Sequence, residues 1–139
     1  MEMTKPKIGD IFKHDFIFTH EQVLAYANIS GDTNPIHVSE QYAEQTNFKR
    51  CIVHGYFSIS IFSKVYGTLL YPEEHILISQ TARYIKPVFT GIEYTAIFTT
   101  KEFFPDKNRV CYINEIIEKQ TGEIKVTGEA FLMNKKYYK

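Results

Sequence analysis

The sequence predicts an α+β domain in which an antiparallel sheet wraps one long apolar helix. Residues from Tyr56 to Leu70 are expected to form this helix, because their apolar side chains leave almost no polar face. After Pro72, runs of alternating or β-branched residues predict strands, and turn-forming residues separate them. With 139 residues, 44% of them hydrophobic, the chain can bury one core, so we expect a single domain over residues 1–139.

The first predicted elements are a strand and two helices. Residues 8–18 are expected to form the strand. Thr19 opens a capping box, so a helix should begin at the next residue and end near Gly31, which suits a left-handed turn. Ser39 can cap a second, short helix. The residues between these helices, 31–37, are therefore expected to form a turn.

Four more strands are predicted after the long helix, at residues 76–85, 94–104, 110–118 and 124–133. Short turn sequences between them allow neighbouring strands to pair as antiparallel hairpins. The sheet is then expected to contain five strands. The last residues, 135–139, are rich in lysine and tyrosine and are expected to fray.

Composition argues against several classes of partner. Sixteen basic residues balance sixteen acidic ones, so no overall field attracts nucleic acid or an anionic membrane surface. No stretch approaches the roughly 20 apolar residues of a membrane span. Cys51 and Cys111 lie far apart and form no paired motif, which fits reduced thiols. We expect a cytoplasmic protein that binds neither nucleic acid nor membrane and carries no cofactor.

Asp32 and His37 are the candidate catalytic residues. They flank a rigid Asn34-Pro35 turn, so a carboxylate and an imidazole can face one cavity. Local structure alone also accounts for such a turn, because Asp and Asn side chains bond their own backbone and Pro fixes its φ angle.

The segment around this turn resembles the signature of the MaoC-like (R)-specific enoyl-CoA hydratases. The matching positions are Tyr26, Ile29, Ser30, Gly31, Asp32, Asn34, Pro35, Ile36, His37 and Ala43. The resemblance continues at Ile52–Gly55 and Arg83–Gly91, and so covers most of the chain. Two positions depart from the family, which usually has Pro in place of Cys51 and Asp in place of Ile92.

The resemblance implies a hot dog fold, a curved antiparallel sheet around a central helix. It also implies homodimers that join their sheets edge to edge, or dimers of such dimers. The implied activity is the (R)-specific hydration of trans-2-enoyl thioesters to 3-hydroxyacyl thioesters, or the reverse dehydration, on coenzyme A or acyl carrier protein.

By the same resemblance, Asp32 and His37 activate water, with the roles of base and acid left open. Gly55 is the predicted donor to the thioester oxygen, because a helix start offers free amides and glycine permits close approach. A glycine there can also serve only to start the helix tightly. Ser63 matches a serine that supports the catalytic pair, although a serine in a buried helix commonly bonds a carbonyl of the preceding turn.

The expected substrate-binding residues are Asn34, His54, Tyr56, Phe57, Arg83 and Lys86. Arg83 and Lys86, with Lys49 and Arg50, are the cations best placed in sequence to meet a phosphate of the carrier. Phe62 and Tyr66 join the two aromatic residues of the set as candidates for the acyl-tunnel wall.

A zinc site of His37, Cys51 and His54 is disfavoured, because the sequence has neither a paired cysteine motif nor a His-Glu-x-x-His helix. Two other functions remain as alternatives. An acyl-CoA thioesterase of the same fold typically uses an Asp or Glu on the central helix, and residues 56–71 contain none. A noncatalytic acyl-thioester binding module can discard the acid and the base, but both are retained.

Overall fold

The computed structural model describes residues 3–139. The elements in chain order are β1 (Ile11–Ile17), α1 (His20–Ser30), α2 (Pro35–Val38), α3 (Glu40–Glu44), α4 (Gly55–Thr68), β2 (Ile76–Gln80), β3 (Arg83–Tyr84), β4 (Glu93–Phe104), a 3₁₀ turn (Pro105–Lys107), β5 (Arg109–Glu118) and β6 (Ile124–Met133). All strand pairs are antiparallel, and the sheet runs in the order β1-β4-β5-β6-β2, with β3 also paired to β6.

The sheet packs on one face of α4, as the sequence predicts for an α+β fold. Phe62 contacts Phe98 of β4 with ring centroids 5.7 Å apart, and Tyr66 stacks on Tyr112 of β5 at 5.8 Å. The opposite face of α4 is exposed and carries Lys64 together with serine, glycine and threonine residues. The expectation that this helix has almost no polar face is therefore wrong. The helix is buried on one side only, because the sheet covers the face that presents its large side chains.

The predicted strand at residues 76–85 is divided in two. Gln80 ends β2 and Arg83 begins β3, and both strands pair with β6. Between them the backbone of Thr81 crosses close to Gly128 of β6, so the described sheet has six strands rather than five. The periodicity of the sequence could not predict this break, because it depends on a contact between two distant parts of the chain.

Gly128→Ala is expected to destabilise the fold by about 3 kcal/mol, because a Cβ at this position would lie 2.1 Å from the Thr81 carbonyl oxygen. Backbone must move to relieve that overlap. The matched control is Gly67→Ala on the exposed face of α4, where a Cβ meets nothing within 4 Å. The higher helix propensity of Ala should there raise the free energy of unfolding by up to about 1 kcal/mol. Urea unfolding of both variants measures the difference; equal stabilities would contradict the close contact.

The helix boundaries near the N-terminus confirm the predicted capping. Thr19 and Gln22 form the capping box at the start of α1, and Gly31 ends the helix with φ 81°. Ser39 caps α3 by accepting a hydrogen bond from the Tyr42 amide. The expected turn before it is partly helical, because α2 begins at Pro35.

The prediction that the C-terminal residues fray is wrong. Tyr138 is fully buried, and its hydroxyl lies 2.9 Å from that of Tyr112 and 2.7 Å from Nε2 of His75. Asn134 fixes the turn that returns the chain, since its side-chain oxygen accepts from the amides of Lys136 and Tyr137. Burial also raises the pKa of Tyr138, so its hydroxyl stays protonated and hydrogen-bonded.

Candidate active site

The turn that carries Asp32 is held by local hydrogen bonds. Its carboxylate Oδ1 accepts from the amide of Asn34 at 3.3 Å, and its own amide donates to Oγ of Ser30 at 3.1 Å. Asn34 in turn caps α2, with its Oδ1 accepting from the amide of Ile36. The Asp32 side chain is exposed in the single chain. The turn thus presents a carboxylate to solvent from a fixed backbone.

His37 has a defined tautomer. Its Nδ1 lies 2.7 Å from the carbonyl oxygen of Ile52, and a carbonyl can only accept, so Nδ1 carries the proton. In the neutral ring, Nε2 then bears the lone pair. The lone pair allows Nε2 of this half-buried side chain to accept a proton.

His54 joins the turn that carries Asp32 to the start of α4. It is 1% exposed, and its Nε2 donates to the backbone carbonyl of Asp32 at 2.9 Å. Its ring also stacks on that of His37, with centroids 4.0 Å apart. These contacts fix the position of the Asp32 backbone relative to the His37 ring. His54 is therefore placed to position the turn.

Asp32, His37 and His54 each contribute one nitrogen or oxygen atom to a cluster in which these atoms lie within 4.8 Å of one another. One water molecule hydrogen-bonds two groups up to about 5.5 Å apart, since it lies about 2.8 Å from each. The Asp32 carboxylate and the His37 imidazole can therefore share a single water. A carboxylate and two imidazoles also form a set of zinc ligands, and Cys51 does not belong to it.

A cavity of about 310 Å³ lies beside this cluster, within the range of roughly 300–1,000 Å³ typical of ligand sites. It is lined by His37, Phe48, Ile52, Val53, Gly55, Ser58, Tyr84, Ile85, Lys86, Pro87 and Val88. Most of these side chains are apolar, which suits an acyl group. A larger depression of about 680 Å³, at the ends of β4 and β5, includes neither Asp32 nor His37.

Gly55 is the first residue of α4 and lines this cavity. The first amides of a helix have no intrahelical partner, and the side chain of the preceding residue, His54, does not cap them. The positive end of the helix dipole adds to their attraction for a developing negative charge. The structure thus brings the candidate donor and His37 to one cavity.

The remaining predicted residues are not all gathered there. Ser63 lies on the exposed face of α4, and within residues 3–139 no hydrogen bond joins it to Asp32 or His37. Tyr56 is 79% exposed, and Phe57 packs between Phe18 and Tyr26. The catalytic role of Ser63 and the substrate-binding roles of Tyr56 and Phe57 remain predictions.

The predicted cations also differ in position. Lys86 lines the cavity, and its ammonium pairs with Glu123 at 2.8 Å. Arg83 instead lines a separate surface depression. Arg50 donates to the carbonyl of Thr90 and lies over the Phe89 ring, so it has a structural partner.

Sequence reasoning missed two polar residues of the cavity. Ser58 is buried, and its hydroxyl donates to the carbonyl of Gly55 at 2.7 Å. Tyr84 packs directly on Gly55. A signal for Ser58 was present, since it lies one helical turn after the glycine. Tyr84 lies within a segment that resembles the family, but its contact with α4 is a tertiary one.

Comparison with known proteins agrees with this geometry. Residues 5–123 match the family described as MaoC like domain. The chain belongs to this family. An (R)-specific enoyl-CoA hydratase of Rhodospirillum rubrum is 34% identical over 115 residues, which cover 83% of this chain and 78% of that protein. A 3-hydroxybutyryl-CoA dehydratase of Methylorubrum extorquens is 37% identical, with 79% of this chain and 69% of that protein covered.

The solved structure of an (R)-hydratase from A. caviae involved in PHA biosynthesis superposes on this MaoC-like chain with a TM-score of 0.87. The two are 33% identical, and the match covers 92% of this chain and 96% of the other. The hot dog fold expected from the sequence is thereby confirmed.

Proposed function

We propose that this single MaoC-like domain, residues 1–139, catalyses the (R)-specific hydration of trans-2-enoyl thioesters, or the reverse dehydration. The observation that carries the proposal is the distance between the Asp32 carboxylate and the His37 imidazole, which suits one shared water. The apolar cavity and the free amide of Gly55 lie beside them. Relatives with this activity support the same reaction.

The reaction needs a base and an acid. As the water oxygen bonds to the β-carbon, one member of the Asp32–His37 pair takes a water proton. The electrons of the carbon–carbon double bond move toward the thioester and form an enolate. The pair then returns a proton to the α-carbon on the same face, so that H and OH have been added across the double bond. Dehydration follows the same steps in reverse.

The reaction also requires that the negative charge developing on the thioester oxygen be stabilised. The amide of Gly55 can donate to that oxygen, and the helix dipole favours the charge. A preorganised donor stabilises the enolate more than the neutral thioester, and so lowers the barrier by a few kcal/mol.

Purified protein mixed with crotonyl-CoA tests the proposal through the loss of enoyl-thioester absorbance and chiral analysis of the product. We expect rapid loss and an (R)-3-hydroxybutyryl product. Absence of turnover with crotonyl-CoA and with longer enoyl-CoAs contradicts hydration of CoA thioesters. Release of free thiol from saturated acyl-CoAs in that case indicates a thioesterase, and turnover only of enoyl-acyl carrier protein assigns the carrier.

A homodimer joined through β2 is part of the proposal. This strand ends the sheet, and its residues Ile76, Leu77 and Ile78 are 51%, 47% and 42% exposed. An apolar edge strand favours pairing with another strand, and the family resemblance implies edge-to-edge pairing. Sedimentation should give about twice the 16.3 kDa chain mass, and Ile78→Lys should shift it toward the monomer. A monomeric wild-type protein contradicts the proposal.

The carrier and the location are also proposed. Lys86 at the cavity supports an anionic carrier such as coenzyme A or the phosphopantetheine arm of an acyl carrier protein.

The described helices include none with the length and apolar character to cross a membrane. Both cysteines are unpaired and buried, which supports the cytoplasm as the location.

A further inference from the structure

The ring of Tyr84 lies against the start of α4 at its glycine. A Cβ added to Gly55 would lie 3.0 Å from Cζ, 3.1 Å from Cε1 and 3.3 Å from the hydroxyl oxygen of Tyr84. These three distances show that the hydroxyl end of the side chain, rather than the end of the ring next to Cβ, contacts the glycine. The short β3 strand, paired to Val126 of β6, holds the Tyr84 backbone in this position.

We propose that the Tyr84 hydroxyl is a second hydrogen-bond donor to the thioester oxygen, beside the amide of Gly55. This inference rests on the proposed hydration of enoyl thioesters and names a further residue of that site. It assigns the hydroxyl a catalytic role that Phe at this position would not have.

The distance between the two donors fits one shared acceptor. A Cβ lies about 2.5 Å from the nitrogen of its own residue, so the Tyr84 hydroxyl oxygen is within about 6 Å of the Gly55 nitrogen. Two donors that each lie about 3 Å from one oxygen are at most about 6 Å apart. Both groups also line the cavity that contains His37.

The hydroxyl is available for this bond. Within residues 3–139 it makes no hydrogen bond to another group, although the side chain is only 48% exposed. Partial burial raises the pKa of Tyr84, so the phenol keeps its proton at neutral pH. A protonated phenol without a protein partner, aimed at the free end of a helix, is suited to donate to an incoming oxygen.

The alternative is that the ring only packs on Gly55 and shapes the cavity wall. Tyr84→Phe separates the two roles, because it keeps the ring and removes only the hydroxyl. Tyr42→Phe is the matched control, since Tyr42 is 51% exposed and does not line the cavity. Each variant is assayed as the full chain with crotonyl-CoA, and its melting temperature is measured.

We expect Tyr84→Phe to lower kcat by about 10- to 100-fold with KM changed less than about threefold, because the bond strengthens as charge develops on the oxygen. Tyr42→Phe should match the wild type. A kcat for Tyr84→Phe within twofold of wild type, at unchanged melting temperature, overturns the inference and leaves the proposed function standing. A rise in KM alone also overturns it, since that result describes uniform binding. An inactive wild-type protein removes the proposed function itself.

Discussion

Asp32→Asn is expected to lower kcat for crotonyl-CoA hydration by about 10³-fold, within the usual contribution of one acid–base group. Asn keeps the size of the side chain and an oxygen that can accept from the Asn34 amide, so the turn should persist. It cannot take a proton from the shared water. Steady-state kinetics measure the loss, and the melting temperature should stay close to that of the wild type.

Asp106→Asn is the matched control for this substitution. Asp106 is an exposed aspartate in the 3₁₀ turn between β4 and β5, and it lies neither at the cavity nor in the turn that carries Asp32. Its variant should retain full activity. If Asp32→Asn keeps more than a third of the wild-type kcat, the carboxylate is not the acid or base of the reaction.

Local signals in the sequence predicted well the helix boundaries on either side of the turn that carries Asp32. The capping box at Thr19 begins α1, Gly31 ends it, and Ser39 caps α3, as the sequence predicts. Each of these features involves residues two to four positions apart, so their physics is contained in a short window. The signature from Tyr26 to Ala43 could therefore be placed on the right elements before any tertiary contact was known.

Features that depend on distant contacts could not be predicted in the same way. The break between β2 and β3 follows from Thr81 passing over Gly128, and the burial of Tyr138 depends on His75 and Tyr112. A terminal segment with lysines and tyrosines has the composition of a frayed tail. The burial of Tyr138 is visible only in the folded structure, where its side chain fills a gap in the core.

The candidate site shows the same contrast between contacts that are local in sequence and contacts between distant residues. The sequence brings Asp32 and His37 together across one turn, whereas the bond from His54 to the Asp32 carbonyl spans 22 positions. The contact of Tyr84 with Gly55 also joins a strand to a distant helix. Spacing along the chain does not encode such contacts. The predicted position of Ser63 on α4 was correct as secondary structure, but the face it occupies depends on which side the sheet covers.

His37→Ala is expected to lower kcat by about 10³-fold, because it removes the Nε2 lone pair to which the proposal assigns proton exchange with the shared water. This variant alone does not separate chemistry from structure, since the bond from Nδ1 to the Ile52 carbonyl is lost with the ring. A side chain that keeps the bond but not the lone pair is needed.

His37→Asn provides that separation. The Asn amide nitrogen occupies nearly the position of Nδ1 and can still donate to the Ile52 carbonyl, while nothing replaces Nε2. If Nε2 exchanges protons with the water, His37→Asn should be as inactive as His37→Ala, although its melting temperature stays nearer that of the wild type. Recovery of most activity in His37→Asn would mean that the ring only anchors α2 to Ile52. Asp32 alone would then have to carry both proton transfers.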